Sequence, residues 1–593
     1  MNTHSEENIA AGRKQFDVVW LLSCTAVTTV AVALRFVLLG LKPFHHDEGV
    51  NGWFLTNLFR DGVYKYDPAN YHGPTLYYIS LAFSKLFGLE TIPVRWSVAI
   101  WGVLTVVLAF FLRRYIGHIG ALSAAWFLAL SPGMVFISRY FIHEIFFVFL
   151  SLAFVVAVLF FIEKERAGPI AIGSTALLLL VCFFPSTLNI ASALAGDDRS
   201  RYVSYGVGFF VVEAILVFLV IRMLMAWRDG RPIYFLLASA CVSLLFATKE
   251  TAFITLGTMA IAAGFVWLWR RVLTRARGES AADDLSDGDL TWTRFREAMG
   301  SGIDLYLLML AGAVLFLYIF VLFFSSFFSY PEGVGQAFEA YNIWTKTGSR
   351  DHADNGLFAY FKWAIRIESP LVVLSALGTA IAFYRSRHRF AMFAGLWTLG
   401  LFLAYTIIPY KTPWLALSFL LPACIAGGYA INEIAKWMRP AAAALLIAAT
   451  AVLGYQTYEI NFVRYDDDQM PYVYAHTRRE FLEMVRQIES YAEKSGKGKQ
   501  ASVEVVSPDY WPLVWYLKDH PNAVFHGKLT ETRDADIIVA KKREQDAEVI
   551  RRYSASHLFV GIYPLRPGVD LMLLVRKDLA GNEGKELYRL NDR

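Results

Sequence analysis

The residues able to move protons or hold charge are few in this chain, and they fall in a small number of clusters. The densest is His45-His46-Asp47-Glu48, two imidazoles beside two carboxylates. Like charges held together repel, so one carboxyl of such a pair is expected to titrate high, and a carboxylate of this kind suits a general base. A solvated loop rim is the plain alternative. It is weakened by Tyr71-His72-Gly73-Pro74 and many aromatic residues in the same stretch. Arg139 and Glu144 stand five apart, a spacing that lets a helix at the membrane edge pair them; a topology anchor with an ion pair is the rival reading. Lys249-Glu250 lies between two apolar runs with almost no loop. A charge at that depth costs about 2.5–3.5 kcal/mol on insertion scales, which makes the pair a functional candidate, with mutual neutralisation as the alternative. Arg35, inside the first apolar run, raises the same question. In Pro409-Tyr410-Lys411-Thr412-Pro413-Trp414 two prolines break a helical hairpin and free backbone groups, which is tolerated where they line a cavity. Lys411 there suits an anionic headgroup, and Tyr410 and Trp414 also read as interfacial anchors. His45, His46, Asp47 and Glu48, with His72, offer ligand types for Zn²⁺ or Mn²⁺, although chain neighbours seldom point at one ion.

The elements that position these residues are membrane spans. The 593 residues are 56% hydrophobic and 16% aromatic, and 18% are charged, against about 25% in a soluble protein. Mean hydropathy is +0.41. Apolar runs long enough to cross a bilayer occur near 18–40, 96–112, 118–136, 145–162, 169–186, 202–224, 232–248, 252–269, 302–327, 366–384, 390–408, 414–432 and 440–456. The expected fold is therefore an all-α polytopic bundle of about thirteen spans over residues 1–456. The four cysteines all sit in apolar runs and read as small buried hydrophobes rather than a disulfide framework. The first run has no small-residue cleavage site after it and is expected to remain as an anchor.

Lys and Arg clusters occupy alternate loops: Arg113-Arg114, Lys164–Arg166, Arg228–Arg231, Arg270–Arg277, Arg385–Arg389 and Lys436–Arg439. The positive-inside rule makes these loops and the N-terminus cytoplasmic. The long stretches at about 41–95 and 328–365, and everything after 456, then lie outside the cytoplasm. The net charge of +5 is small and its bases serve orientation, which argues against a nucleic-acid surface. The acidic segment 278–289 reads as mobile. After about 456 the composition becomes that of a soluble domain. Helical spacing at Arg479–Ala492 and Trp511–Lys518, with strand patterns at Ser502–Val506, Asp536–Ala540, Leu558–Tyr563 and Leu571–Val575, predicts a small extracytoplasmic α/β domain over 457–593.

Outward-facing carboxylates and cations thus gather at one membrane level. The cations Arg139, Lys249 and Lys411 suit a phosphate, and the carboxylates suit a hydroxyl acceptor. A lipid-phosphate sugar needs this combination, because phosphate already leaves well, a base takes the acceptor's proton and positive charge holds the departing group.

These residues also carry a resemblance. Asp47-Glu48 after the first span is similar to the acidic pair in the first outer loop of the GT-C superfamily glycosyltransferases, which include the protein O-mannosyltransferases. Ser138-Arg139 with Glu144 resembles their second outer-loop motif, in which aspartate commonly stands where Glu144 does; His143 beside it is a further departure. More closely, HHDEGVNGWF, YHGPTLYY, FATKET, PYKTPWL and SPDYWPLVWYLKD resemble a prokaryotic branch related to the dolichyl-phosphate-mannose protein mannosyltransferases, some of whose members are labelled flippase-activity-associated. The resemblance spans nearly the whole chain. It implies a multi-pass inner-membrane enzyme that transfers sugar from a polyprenyl-phosphate donor to an extracytoplasmic acceptor with inversion, some relatives needing a divalent metal. In that reading Asp47 is the base and Glu48 supports it. Arg139, Lys249 and Lys411 hold the donor phosphate, and His46, Tyr71, His72, Glu144, Glu250 and Tyr410 shape the substrate pocket. A lipid-linked-sugar flippase, or an accessory to one, is the alternative.

Overall fold

A computed structural model describes residues 3–163, 165–277, 290–348 and 355–588. The segment 278–289 lies outside the described residues, as does 349–354 within the second long outer stretch.

The apolar runs all fall on helices. Among the described residues ten helices are long and apolar enough to cross a membrane, or twelve if each of two bent pairs is one span. The remaining apolar runs of the about thirteen expected fall on two bent pairs and one shorter helix. His118–Leu130 and Pro132–Ser138 are bent by 57° at Ser131, and Ala359–Ile367 and Ser369–Arg385 by 104°. The run near 232–248 becomes Pro232–Phe246, only 15 residues. At 1.5 Å per residue that is about 22 Å, short of a hydrocarbon core of about 30 Å. The span Pro413–Trp437 is wholly enclosed by other helices. It packs closely on His118–Leu130, where a Cβ on Gly428 would stand 2.4 Å from the Gly120 carbonyl oxygen, the small-residue contact by which helices pack in lipid.

The two long stretches expected as loops are largely helical. The first holds His46–Asp61 and Thr75–Phe87, and the second holds Glu332–Gly348 and Ala359–Ile367.

Beyond the last span, Met470, Tyr472 and Val473 join the core of the bundle. The chain then forms the helix Phe481–Lys494 and a five-stranded sheet of β1 (Val503–Val505), β2 (Ala523–Phe525), β3 (Ile537–Lys541), β4 (His557–Arg566) and β5 (Val569–Arg576). Spatial order is β2-β1-β3-β5-β4, parallel among the first three and antiparallel at β3–β5 and β4–β5. Central β3 is apolar from Ile537 to Ala540 because both sheet faces are covered. Ile537 and Val539 enter one core and Ile538 and Ala540 the other. The short β2 and the helix Asp546–Tyr553 escaped the sequence pattern, and the expected helix 511–518 is only Leu513–Tyr516.

Candidate active site

The site is built on the first turn of His46–Asp61. His45 caps this helix: its Nδ1 accepts from the Asp47 amide at 3.1 Å, and its Nε2–H donates to the Tyr474 carbonyl at 2.9 Å. Glu48 completes the cap by accepting from the His45 amide at 2.9 Å. It is also gripped by the Arg95 guanidinium at 2.8 and 2.7 Å and by the Phe141 amide at 2.9 Å. Burial alone would raise the Glu48 carboxyl; the Arg95 charge and these hydrogen bonds outweigh it and leave it below the usual range. Glu48 is therefore a fully enclosed anion with every oxygen engaged, and Asp47 beside it is 39% exposed.

The other side of the helix is clamped by the C-terminal domain. A Cβ on Gly49 would meet Pro512 at 2.7 Å and one on Gly52 would meet the Trp515 ring at 2.6 Å. Trp515 stacks on Phe44 with centroids 4.7 Å apart, and its indole N–H donates to Thr91 Oγ1 at 3.0 Å. The Phe44 amide donates to the Tyr516 hydroxyl at 2.9 Å.

Asp47 opens onto a cavity of ≈ 200 Å³. The loop Tyr71–Pro74 forms one wall and is strapped to the turn before Ala252, with the Gly73 amide donating to the Thr248 carbonyl at 3.1 Å and Thr75 to the Ala247 carbonyl at 3.2 Å. This places His72 against Glu250, and Nδ1–H donates to the carboxylate at 2.9 Å. Lys249 pairs with Glu144 across the cavity floor. Trp344, Tyr405, Tyr410 and Trp414 supply an aromatic side. Among the described lining residues Asp47, Glu144 and Glu250 are acidic and Lys249 is the lone lysine or arginine. Glu144 and Glu250 each hold a basic partner, whereas among the described residues the basic atom beside Asp47 is His45 Nδ1 at 3.9 Å, which is already taken up as a hydrogen-bond acceptor.

Of the residues singled out from sequence, the fold brings Asp47, His46, Tyr71, His72, Glu144, Lys249, Glu250 and Tyr410 to one cavity. Glu48, Arg139, Lys411, Arg35 and His45 stand apart from its lining. Glu48 is sealed on Arg95. Arg139 does not pair with Glu144; it donates to the carbonyls of Leu34, Val37 and Leu38, closing the end of the first span. Lys411 donates to the carbonyls of Tyr405 and Thr406 at 3.2 and 2.9 Å, closing the end of Arg389–Ile407. Helix C-termini leave carbonyls without partners, and a cation there satisfies them. Arg35 does likewise at Leu128 and Ala129. Of the three cations expected to hold a phosphate, Lys249 alone lines the cavity, and Lys249-Glu250 do not neutralise each other because each has a partner elsewhere. The metal reading also changes: His45 has both ring nitrogens engaged, Glu48 is sealed, and no group of three metal-binding side chains occurs among the described residues. Arg95, His143, Asn51 and Trp344 were missed. Only Arg95 gave a signal, as a charge beside an apolar run, and it reads there as a loop residue.

Residues 71–195, about a fifth of the chain, match the family described as dolichyl-phosphate-mannose-protein mannosyltransferase. The match includes His72 and Glu144 and stops short of Asp47. No curated protein sequence matches the chain significantly. In structure it resembles ArnT from Cupriavidus metallidurans bound to undecaprenyl phosphate, at 15% identity and TM-score 0.56, covering 94% of this chain and 98% of that one. The apo state of the same protein gives 12% identity and TM-score 0.55, covering 95% and 98%. The Archaeoglobus fulgidus oligosaccharyltransferase in the apo form is more distant, at 12% identity and TM-score 0.46, covering 92% and 74%. The chain is a multi-pass membrane protein with a C-terminal sheet domain, and its fold is similar to that of ArnT.

Proposed function

We propose that the protein transfers a sugar from a polyprenyl-phosphate donor to the hydroxyl of an extracytoplasmic acceptor, with inversion at the anomeric carbon. The observation that carries this reading is Asp47: a part-exposed carboxylate with no lysine or arginine partner among the described residues, facing a cavity in a fold whose structural relative ArnT was crystallised with undecaprenyl phosphate. Asp47 takes the acceptor's proton as the acceptor oxygen attacks the anomeric carbon. The bond from that carbon to the phosphate oxygen breaks, and polyprenyl phosphate leaves with the electron pair. Lys249 meets the departing phosphate, and His72, oriented by Glu250, contacts the sugar. No step is routed through a metal. The membrane is the inner membrane, with the N-terminus cytoplasmic and the C-terminal domain outside, as the basic loops indicate.

The test is Asp47→Asn, which keeps size and removes the proton-accepting charge. Release of sugar from a radiolabelled donor in membranes is expected to fall by about 10²- to 10⁴-fold, with donor binding retained. Near-normal turnover in the variant would remove Asp47 from the chemistry. Movement of label across the bilayer with the sugar–phosphate bond intact would replace the transferase reading with a transporter.

A further inference from the structure

Arg566 ends β4 where the C-terminal domain meets the cavity, and its guanidinium is divided between two partners. One nitrogen pairs with Asp509, which Lys541 at the end of β3 holds at 2.8 Å. The other lies 3.4 Å from Nδ1 of His46, a cavity residue next in the chain to Asp47 and 520 positions away from Arg566. A guanidinium has donors and no acceptor. His46 Nδ1 must therefore present its lone pair, and the neutral ring carries its proton on Nε2. Trp511 packs beside the same imidazole, with centroids 6.3 Å apart, and its neighbour Pro512 sits against Gly49. The contact is thus braced from both sides.

We propose that Arg566 is a positioning residue of the site: by donating to Nδ1 it fixes His46 as an Nε2–H hydrogen-bond donor to a substrate oxygen beside Asp47. The role rests on the transferase reading. It makes the C-terminal domain part of the catalytic apparatus, since the tautomer of a cavity histidine is set from that domain. Four charged or titratable groups face His46 besides its own burial: Asp47 and His45 on its own element, Arg566 and Asp509 across the interface. Its protonation falls to about 4, with burial the largest cause; Asp47 and Asp509 oppose the shift, and His45 and Arg566 add to it. The neutral donor form therefore persists throughout the physiological range, and loss of Arg566 moves protonation upward.

Two measurements on the full-length protein test this. Carbethoxylation of His46 by diethyl pyrocarbonate, which attacks the unprotonated ring, is followed by peptide mass spectrometry across pH. Arg566→Met is expected to raise the midpoint by about one pH unit. Turnover of Arg566→Met is expected to fall about tenfold, donor binding to change less than about twofold, and Arg566→Lys to recover part of the loss. In a His46→Gln background the amide supplies an N–H without a tautomer, so adding Arg566→Met should cost no more than about twofold. An equal loss in both backgrounds, or an unshifted His46 profile, overturns the proposal. If the profile shifts and no form of the protein cleaves a sugar–phosphate bond, the positioning stands and the transferase reading fails.

Discussion

Lys249 and Glu144 face each other in the cavity floor, both nearly sealed from solvent. A buried pair of this kind gives little net stability, yet removing one partner strands the other, at about 3–5 kcal/mol. Lys249→Met is expected to lower the melting temperature of the detergent-solubilised protein sharply, and Lys249→Met with Glu144→Gln to recover most of it. Donor binding separates structure from function: it should stay weak in the stable double variant, because the phosphate has lost its cation. Native-like donor binding there would take Lys249 out of the phosphate site. Asp47 and Glu48 show the same division at adjacent positions. Glu48 is enclosed on Arg95, and Asp47 stays part-exposed at the cavity, where the proposed reaction needs a base.

The helix His46–Asp61 is the element on which this division depends, because successive residues of its first turn project about 100° apart. Its sequence contains two glycines, and the fold explains them as notches for Pro512 and Trp515. Gly52→Ala places a methyl 2.6 Å from the Trp515 ring. Overpacking of this kind costs about 1–3 kcal/mol, and here it also pries the C-terminal domain from the site. Gly62, at φ +71° with nothing within 4 Å, is the control. Gly62→Ala is expected to cost about 1 kcal/mol of backbone strain and to leave turnover per folded molecule unchanged. If Gly52→Ala melted and turned over like Gly62→Ala, the clamp would not operate in the membrane.

The whole molecule is arranged by charge. The proposed orientation puts the cavity, both long outer stretches and the sheet domain on one side. Single cysteines in place of exposed Glu339 and exposed Arg387, in a background without the four native thiols, test it. An impermeant maleimide added to intact cells is expected to label position 339 and spare 387. The opposite pattern would invert the topology and move the site to the cytoplasm.

Hydropathy alone located the helices, because a bilayer demands about twenty apolar residues wherever the chain crosses it, and it drew the line near 456 where that demand ends. It also isolated Asp47, His72, Lys249 and Glu250, because charge in or beside an apolar run is costly and rare. Tertiary structure decided what each charge does. Arg139 and Lys411 look in sequence like the cations of a phosphate site, and they turn out to satisfy carbonyls at helix ends, as Arg35 also does. Glu48 looks like the partner of Asp47, and it belongs to Arg95. Arg566 carries no signal in its own segment, and it reaches His46 from the far end of the chain. Burial cost is a property of local composition and is written along the sequence. The choice of partner depends on which chain segments meet, and that is fixed only when the helices and the C-terminal sheet have packed.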